Sequence, residues 1–352
     1  MLNLLKELCQ LPAPVGRERL VQLRIKEELN EIATKNLFDL VGNQIFYIGE
    51  KRTRKSSIVA VIAHCDEISF VVDEILPSGL IRVIPNYASR RSPDTRILPF
   101  QEVILLKDDY SILNGPFFAI DTGHVVESSI RDKRPKMTDL YIDVGASTKE
   151  VVEKQGIHPG TPVIWKSPFI KQKNLISCKA MDDRLGLATM IEAAKNLAKK
   201  QNEYPFLLIS SVQEEIGVMG AKALAQLPEN IDLAIILEIH PITRISEKIK
   251  FGNGPCIVLK DGGIHYDHQF SMEIAQLAEQ ANIPFQWSVF STGMTDGSAL
   301  LTQNKKVALL SCPCAYPHSP KESIDVTDLE NLKKLLEITL ENIPSIRKKV
   351  IP

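Results

Sequence analysis

Helical periodicity disappears from this chain between Phe70 and Lys166 and is present on both sides of that stretch. In its place stand short alternating runs: FVVDEILPSGLIRVI, EVILLKDD, FFAI, LYIDV and TPVIW. Turn residues separate them, among them Pro77-Ser78-Gly79 and His158-Pro159-Gly160. Period-two runs bounded by proline and glycine read as strands. The expectation is a small, barrel-like all-β domain over 70–166, inserted into a fold of another kind.

The flanks supply that other fold. Leu2, Leu5 and Leu11 are spaced as on a helix that Pro12 and Pro14 stop, and 17–32 reads as a second amphipathic helix. Residues 57–63 are apolar and β-branched, a buried strand ending directly in His64. From Leu175 onward helices (184–200, 218–227, 268–281, 296–302, 327–342) alternate with strands (206–212, 233–237, 257–259, 285–289, 307–311). Thr327 is expected to cap the last helix, with Glu330 completing a capping box. Such alternation implies an α/β fold with a mixed sheet covered by helices. Residues 1–69 and 167–352 would form that domain around the insert.

Composition removes several function classes. The chain has 352 residues, with Lys plus Arg 42 against Asp plus Glu 43 and a net charge of -1. An electrostatic nucleic-acid binder would show a basic excess. No apolar run reaches the roughly 18 residues of a membrane helix. Lys6 and Glu7 interrupt any secretory apolar region, so no signal peptide is expected. The cysteines at 9, 65, 178, 256, 312 and 314 are scattered in mostly apolar runs. A chain this long needs no disulfides, and a reducing, cytoplasmic setting is expected.

Acids and histidines gather at the predicted strand ends, where open α/β sheets form their sites. His64 and Asp66 lie two apart in AHCDE, so both point to one side of a continuing strand. A neutral imidazole held by a carboxylate can bind a metal; a strand-end histidine bonded to a loop is the plainer alternative. Asp182 and Asp183 precede a helix. An N-cap accounts for one aspartate, leaving the other able to bridge. Glu214 and Glu215 end an apolar strand in VQEEIG; a helix dipole would accommodate one such acid more easily than two. Glu238 follows LAIIL, and His318 sits in the proline-rich loop YPHSPKE. Carboxylates with histidines, and no clustered thiols, suit a hydrolytic metal pair rather than a structural zinc.

These motifs, in this order, resemble the tetrahedral (TET-type) aminopeptidases, a family of dinuclear metallopeptidases that includes glutamyl and deblocking aminopeptidases. HCDE, KAMDDRLG, VQEEIGVMGA, an acidic strand end, TDGSAL and YPHSPKE carry the resemblance, with LYIDVGA in the inserted module. It spans essentially the whole chain. It implies two divalent metal ions per subunit, zinc first, with cobalt or manganese as alternatives. It implies His64 and Glu238 as ligands of one metal, Glu215 and His318 of the other, and Asp182 as the bridge. Glu214 would be the general base and Asp66 the partner that orients His64. Substrates would be peptides with a free N-terminus. A homo-oligomer is expected, a dodecamer built from dimers, with neither nucleic acid nor membrane as partner. The chain departs from the pattern at Glu238, where the family usually has Asp, at Cys65 for a common Met, and at Ser69 for a usual Gly.

Two rival readings remain. One is a non-catalytic homologue acting as an assembly or binding protein, for which an unligated Glu214 would have no purpose. The other is a glycoside hydrolase, a name some relatives have carried. Glycoside cleavage usually needs two unligated carboxylates, and most acids here are assigned to metals. Cys312-Pro313-Cys314 lacks the spacing of a zinc or redox motif. His124, His158, His240, His265 and His268 read as loop or surface histidines, and Lys260 as a solvated lysine.

Overall fold

The structure, a computed structural model, describes residues 1–49, 57–87, 94–122, 125–126, 133–200, 204–245 and 247–351. It divides into two compact units, Met1–Asp66 with Phe169–Pro352, and Glu67–Pro168.

The first unit is built on an 11-stranded mixed sheet. Its centre is parallel, in the order Phe206–Ser211, Ile58–His64, Ile231–Ile242, Lys306–Ala315. Alternate side chains of these strands go to opposite faces. Val59, Val61, Leu208, Ile235 and Leu310 pack on one face against Leu185, Ala188 and Ile191 of the helix Met181–Lys199 and Leu332 and Leu336 of Val326–Glu341. Ala60, Ile62, Leu207, Ile209, Ile236 and Leu309 pack on the other face with Leu300 and Tyr266. Burial on both faces explains why these strands read as unbroken apolar runs.

Antiparallel strands extend the sheet. Ala33–Phe38 and Gln44–Ile48 lie beyond Phe206–Ser211. On the other side Lys306–Ala315 turns back into Glu322–Asp325, which pairs with Leu175–Cys178. The strand predicted over 233–237 runs from Ile231 to Ile242, so Glu238 lies inside it rather than after it. Ten parallel pairs with Lys306–Ala315 carry it that far. The helix expected to start at Thr327 is capped instead by Asp325, whose carboxylate accepts the Thr327 N–H at 2.7 Å.

In the second unit six strands close into a barrel: Phe70–Ile75, Ile81–Pro85, Tyr141–Asp143, Ile112–Ala119, Glu102–Leu106 and Pro162–Trp165. Phe70, Phe118 and Trp165 fill it, their ring centroids 5.1 to 5.9 Å apart. The turn predicted at Pro77-Ser78-Gly79 joins the first two strands, with Gly79 at φ +84. A Cβ there would lie 2.5 Å from the Ala146 carbonyl oxygen, so only glycine fits. The short helix Lys149–Lys154 was not legible in the alternating pattern. Ser69, where glycine is usual, is buried and accepts a hydrogen bond from Asn86 Nδ2 at 3.2 Å. The chain thus has the α/β architecture with an inserted all-β module. Among the described residues no helix is long and apolar enough to cross a membrane.

Candidate metal centre

The carboxyl ends of the central parallel strands converge on one place. His64 closes Ile58–His64, and the next residue ties this strand to its neighbour through Cys65 N–H to Ser211 O at 2.8 Å. Asp66 is fully buried. Its Oδ1 accepts the Glu214 N–H and its Oδ2 the Glu215 N–H, each at 3.0 Å. His64 Nδ1 lies 3.5 Å from Asp66 Oδ1, at the outer edge of hydrogen bonding.

Asp182 stands between the two histidines. Its Oδ1 is 2.9 Å from His64 Nε2 and its Oδ2 is 3.3 Å from His318 Nε2. Glu238 Oε2 lies 3.7 Å from His64 Nε2, and Glu215 Oε1 lies 3.6 Å from His318 Nε2. The side chains predicted from the sequence therefore fall into two groups that share Asp182. Ligand-type atoms of His64, Asp182 and Glu215 lie within 4.8 Å of one another.

The backbone around these residues is unusual. Ala180, Gln213, Tyr316 and His318 all adopt positive φ, between +55 and +59. Non-glycine residues pay for this region with strain, and such strain clusters at functional sites. Asp182 and Asp183 have non-helical dihedrals and a cis peptide bond between them. Asp183 then accepts the Gly186 N–H at 3.0 Å, so it is the capping aspartate and Asp182 the one left for other work. Gly186 permits this closeness, because a Cβ would lie 2.4 Å from Asp183 Oδ2.

Charge is concentrated here. Burial pushes the Glu214 and Glu238 carboxyls well above the usual range and Glu215 up to about 7, with neighbouring acids adding to each. Burial alone would lower His64, but Asp182 and Asp66 outweigh it and hold its pKa high. Burial would raise Asp182, but His318 and His64 outweigh it and hold it low. The acids outnumber the imidazoles, and Asp183 Oδ2 has no hydrogen-bond partner among the described residues. Buried acids in such numbers are costly without compensating cations. Oxygen and imidazole donors around a shared carboxylate fit divalent metal ions.

Three features escaped the sequence reading. Glu322 is buried at the start of its strand and accepts the amides of both Asp182 and His318. Asp296, from TDGSAL, is buried and accepts a hydrogen bond from Ser211 Oγ. His240, expected at the surface, is buried in its long strand with Nε2 3.0 Å from Ser288 Oγ. The prolonged strand encloses it, which a loop would not have done. His158, His265 and His268 are exposed, and His124 lies outside the described residues. Lys260 is half-buried and donates to the Asp261 carbonyl at 2.6 Å. Cys312 and Cys314 are free, buried thiols.

Known proteins share this chain's sequence pattern and fold. The family model described as M42 glutamyl aminopeptidase matches residues 42–335. A lysyl aminopeptidase from Pyrococcus furiosus is 28% identical, covering 97% of this chain and 97% of its own. The solved structure of an aminopeptidase from the archaeon Desulfurococcus kamchatkensis superposes with a TM-score of 0.90 at 29% identity, covering 99% of this chain and 97% of the other. That of the Pyrococcus horikoshii TET1 peptidase, which can assemble into a tetrahedron or a large octahedral shell, has a TM-score of 0.86 at 29% identity, covering 96% and 98%.

Proposed function

The chain belongs to the M42 glutamyl aminopeptidase family and is a metallo-aminopeptidase, and from that premise we propose that it removes N-terminal residues from peptides at a dinuclear centre. His64 and Glu238 would hold one divalent ion and Glu215 and His318 the other, with Asp182 shared between the two pairs. The observation that carries this reading is Asp182 itself, with one oxygen toward each histidine. Glu238 stands where the family usually has a shorter aspartate, and its Oε2 lies 3.7 Å from His64 Nε2.

When bound, the metals supply a water of lowered pKa and a Lewis acid for the peptide carbonyl. Everything else falls to this chain. Glu214 carries no ligand role, so its carboxylate is free to take the water's proton and return it to the departing amine nitrogen. Asp66 fixes where Glu214 starts from, because it holds that residue's amide. It also faces His64 Nδ1, which keeps Nε2 directed at Asp182.

Zinc is the first choice of metal, with cobalt or manganese as alternatives. The substrate's free α-amine is the group that places the first peptide bond at the centre, making the enzyme an exopeptidase. By likeness to the TET1 peptidase we also propose a homo-oligomer, a tetrahedral dodecamer built from dimers. The buried free thiols accord with a reducing, cytoplasmic setting.

The deciding experiment compares a short peptide with its N-acetylated form, with and without chelation, and after zinc, cobalt or manganese is restored. Cleavage of the free peptide alone, lost on chelation and regained with metal, is expected. Equal cleavage of both forms would sink the exopeptidase reading. Full turnover in protein shown by elemental analysis to be metal-free would sink the metal reading.

A further inference from the structure

The loop that carries His318 leaves Lys306–Ala315 and returns as Glu322–Asp325, which pairs antiparallel with the end of the strand it left. On its other side Glu322–Asp325 pairs with Leu175–Cys178, register Glu322 to Cys178. Leu175–Cys178 is the strand that leads into Asp182. Glu322 thus occupies the junction of the two segments that deliver Asp182 and His318.

Its side chain uses that position fully. Glu322 Oε2 accepts the Asp182 N–H at 3.1 Å, and Oε1 accepts the His318 N–H at 2.8 Å. The residue is 2% exposed, so both bonds are shielded from bulk solvent. Asp66 makes the same pattern on the other side of the centre, one oxygen to each of Glu214 and Glu215. A carboxylate accepting two amides fixes the separation of the chain segments that donate them. Here one of those segments, at His318, holds a left-handed backbone with φ +57 that an unrestrained chain would leave.

We infer that Glu322 is a positioning residue that clamps the backbones of Asp182 and His318 and so presets the ligand spacing of the metal site shared by these two residues. The inference rests on the proposed ligand roles of Asp182 and His318. Glu322 itself touches neither substrate nor the reacting atoms. Its carboxylate works through the amides of the two proposed ligands, Asp182 and His318.

The test is Glu322→Gln beside wild type and His318→Ala. Gln keeps the length but offers one acceptor oxygen, turning its NH2 toward the second amide. Zinc binding to each chelator-stripped protein is titrated by calorimetry, stoichiometry is checked by elemental analysis, and melting temperature is measured without metal. Loss of a partner that orients a ligand typically weakens metal binding about 10–100-fold. The expected result is two ions in wild type, one in His318→Ala, and in Glu322→Gln a second ion bound about 10–100-fold more weakly, with metal-free melting close to wild type. Saturating zinc then restores most of kcat, with KM unchanged. Wild-type zinc affinity in Glu322→Gln, while His318→Ala loses an ion, overturns the clamp alone. A His318→Ala protein that binds zinc like wild type overturns the ligand reading and the clamp with it. If Glu322→Gln melts far lower without metal, Glu322→Asp, which keeps the charge, decides: two tightly bound ions and normal kcat in that shortened variant would likewise overturn the clamp.

Discussion

Asp66 Oδ1 accepts the backbone N–H of Glu214 at 3.0 Å, so the acid assigned as general base is tied through its own main chain to the strand end that carries His64. Asp66→Ala leaves the amides of Glu214 and Glu215 without acceptors in a buried site. An unsatisfied buried donor costs about 1–3 kcal/mol. The variant is expected to lose stability by that order and to bind metal about 10–100-fold more weakly. Chemical denaturation and zinc titration measure the two losses. Unchanged values for both would remove Asp66 from the site's support.

The two adjacent glutamates are predicted to fail differently. Glu214→Gln keeps shape but cannot take a proton, and removing a general base costs about 10²–10⁴-fold in rate. Metal content should stay at the wild-type level. Glu215→Gln should instead loosen or lose one ion, since Glu215 Oε1 faces His318. The check is kcat beside metal stoichiometry. Loss of an ion in Glu214→Gln with both retained in Glu215→Gln would show the roles reversed.

Stability of the metal-free protein should depend on pH with a definite sign. Glu215 has its pKa raised from 4.5 to about 7 by burial. A carboxyl raised on folding holds its proton longer in the folded state, so stability is greatest below about 4.5 and declines as pH rises toward 7. His64, raised by Asp182 and Asp66 against its burial, acts the same way, its stabilisation being lost as pH rises above 6.5. Bound divalent ions remove the penalty by keeping the carboxylates ionised and paired. The melting-temperature gap between loaded and stripped protein should therefore widen from pH 5 to pH 8. A gap that stays constant or narrows contradicts this assignment of charge.

The barrel core offers a prediction independent of the chemistry. Trp165 is buried against Phe70 at 5.6 Å and Phe118 at 5.9 Å, and its indole N–H has no hydrogen-bond partner among the described residues. Trp165→Ala should cost about 3–5 kcal/mol. Trp165→Phe should cost much less, because it keeps aromatic area and removes an unpaired donor. Denaturant unfolding of both variants checks the ordering, and equal losses would argue against it.

The site was unevenly legible in the sequence. His64, Glu214, Glu215, Glu238 and His318 were visible because each stands at the abrupt end of an apolar run or in a rigid loop, and Asp182 because a helix cap accounts for only one aspartate of a pair. Glu322 was not visible. It begins a four-residue strand, ESID, with no apolar run before it, and its partners are backbone amides that leave no trace in composition. His240 was misjudged because strand length is set by pairing with Lys306–Ala315, not by the local run of aliphatic residues. The strands Ala33–Phe38 and Gln44–Ile48 were missed, the first having no fully buried residue at the sheet edge.

By itself the sequence determined the α/β frame, the inserted β module and the set of acids and histidines, because period and burial are written locally in residue order. Tertiary structure alone decided which of those groups meet. Asp182 and His318 are far apart in the chain, yet antiparallel pairing of Glu322–Asp325 with both neighbouring strands brings their backbones onto one carboxylate. Strand pairing is a non-local choice fixed by the packing of the whole sheet, and no window of sequence contains it.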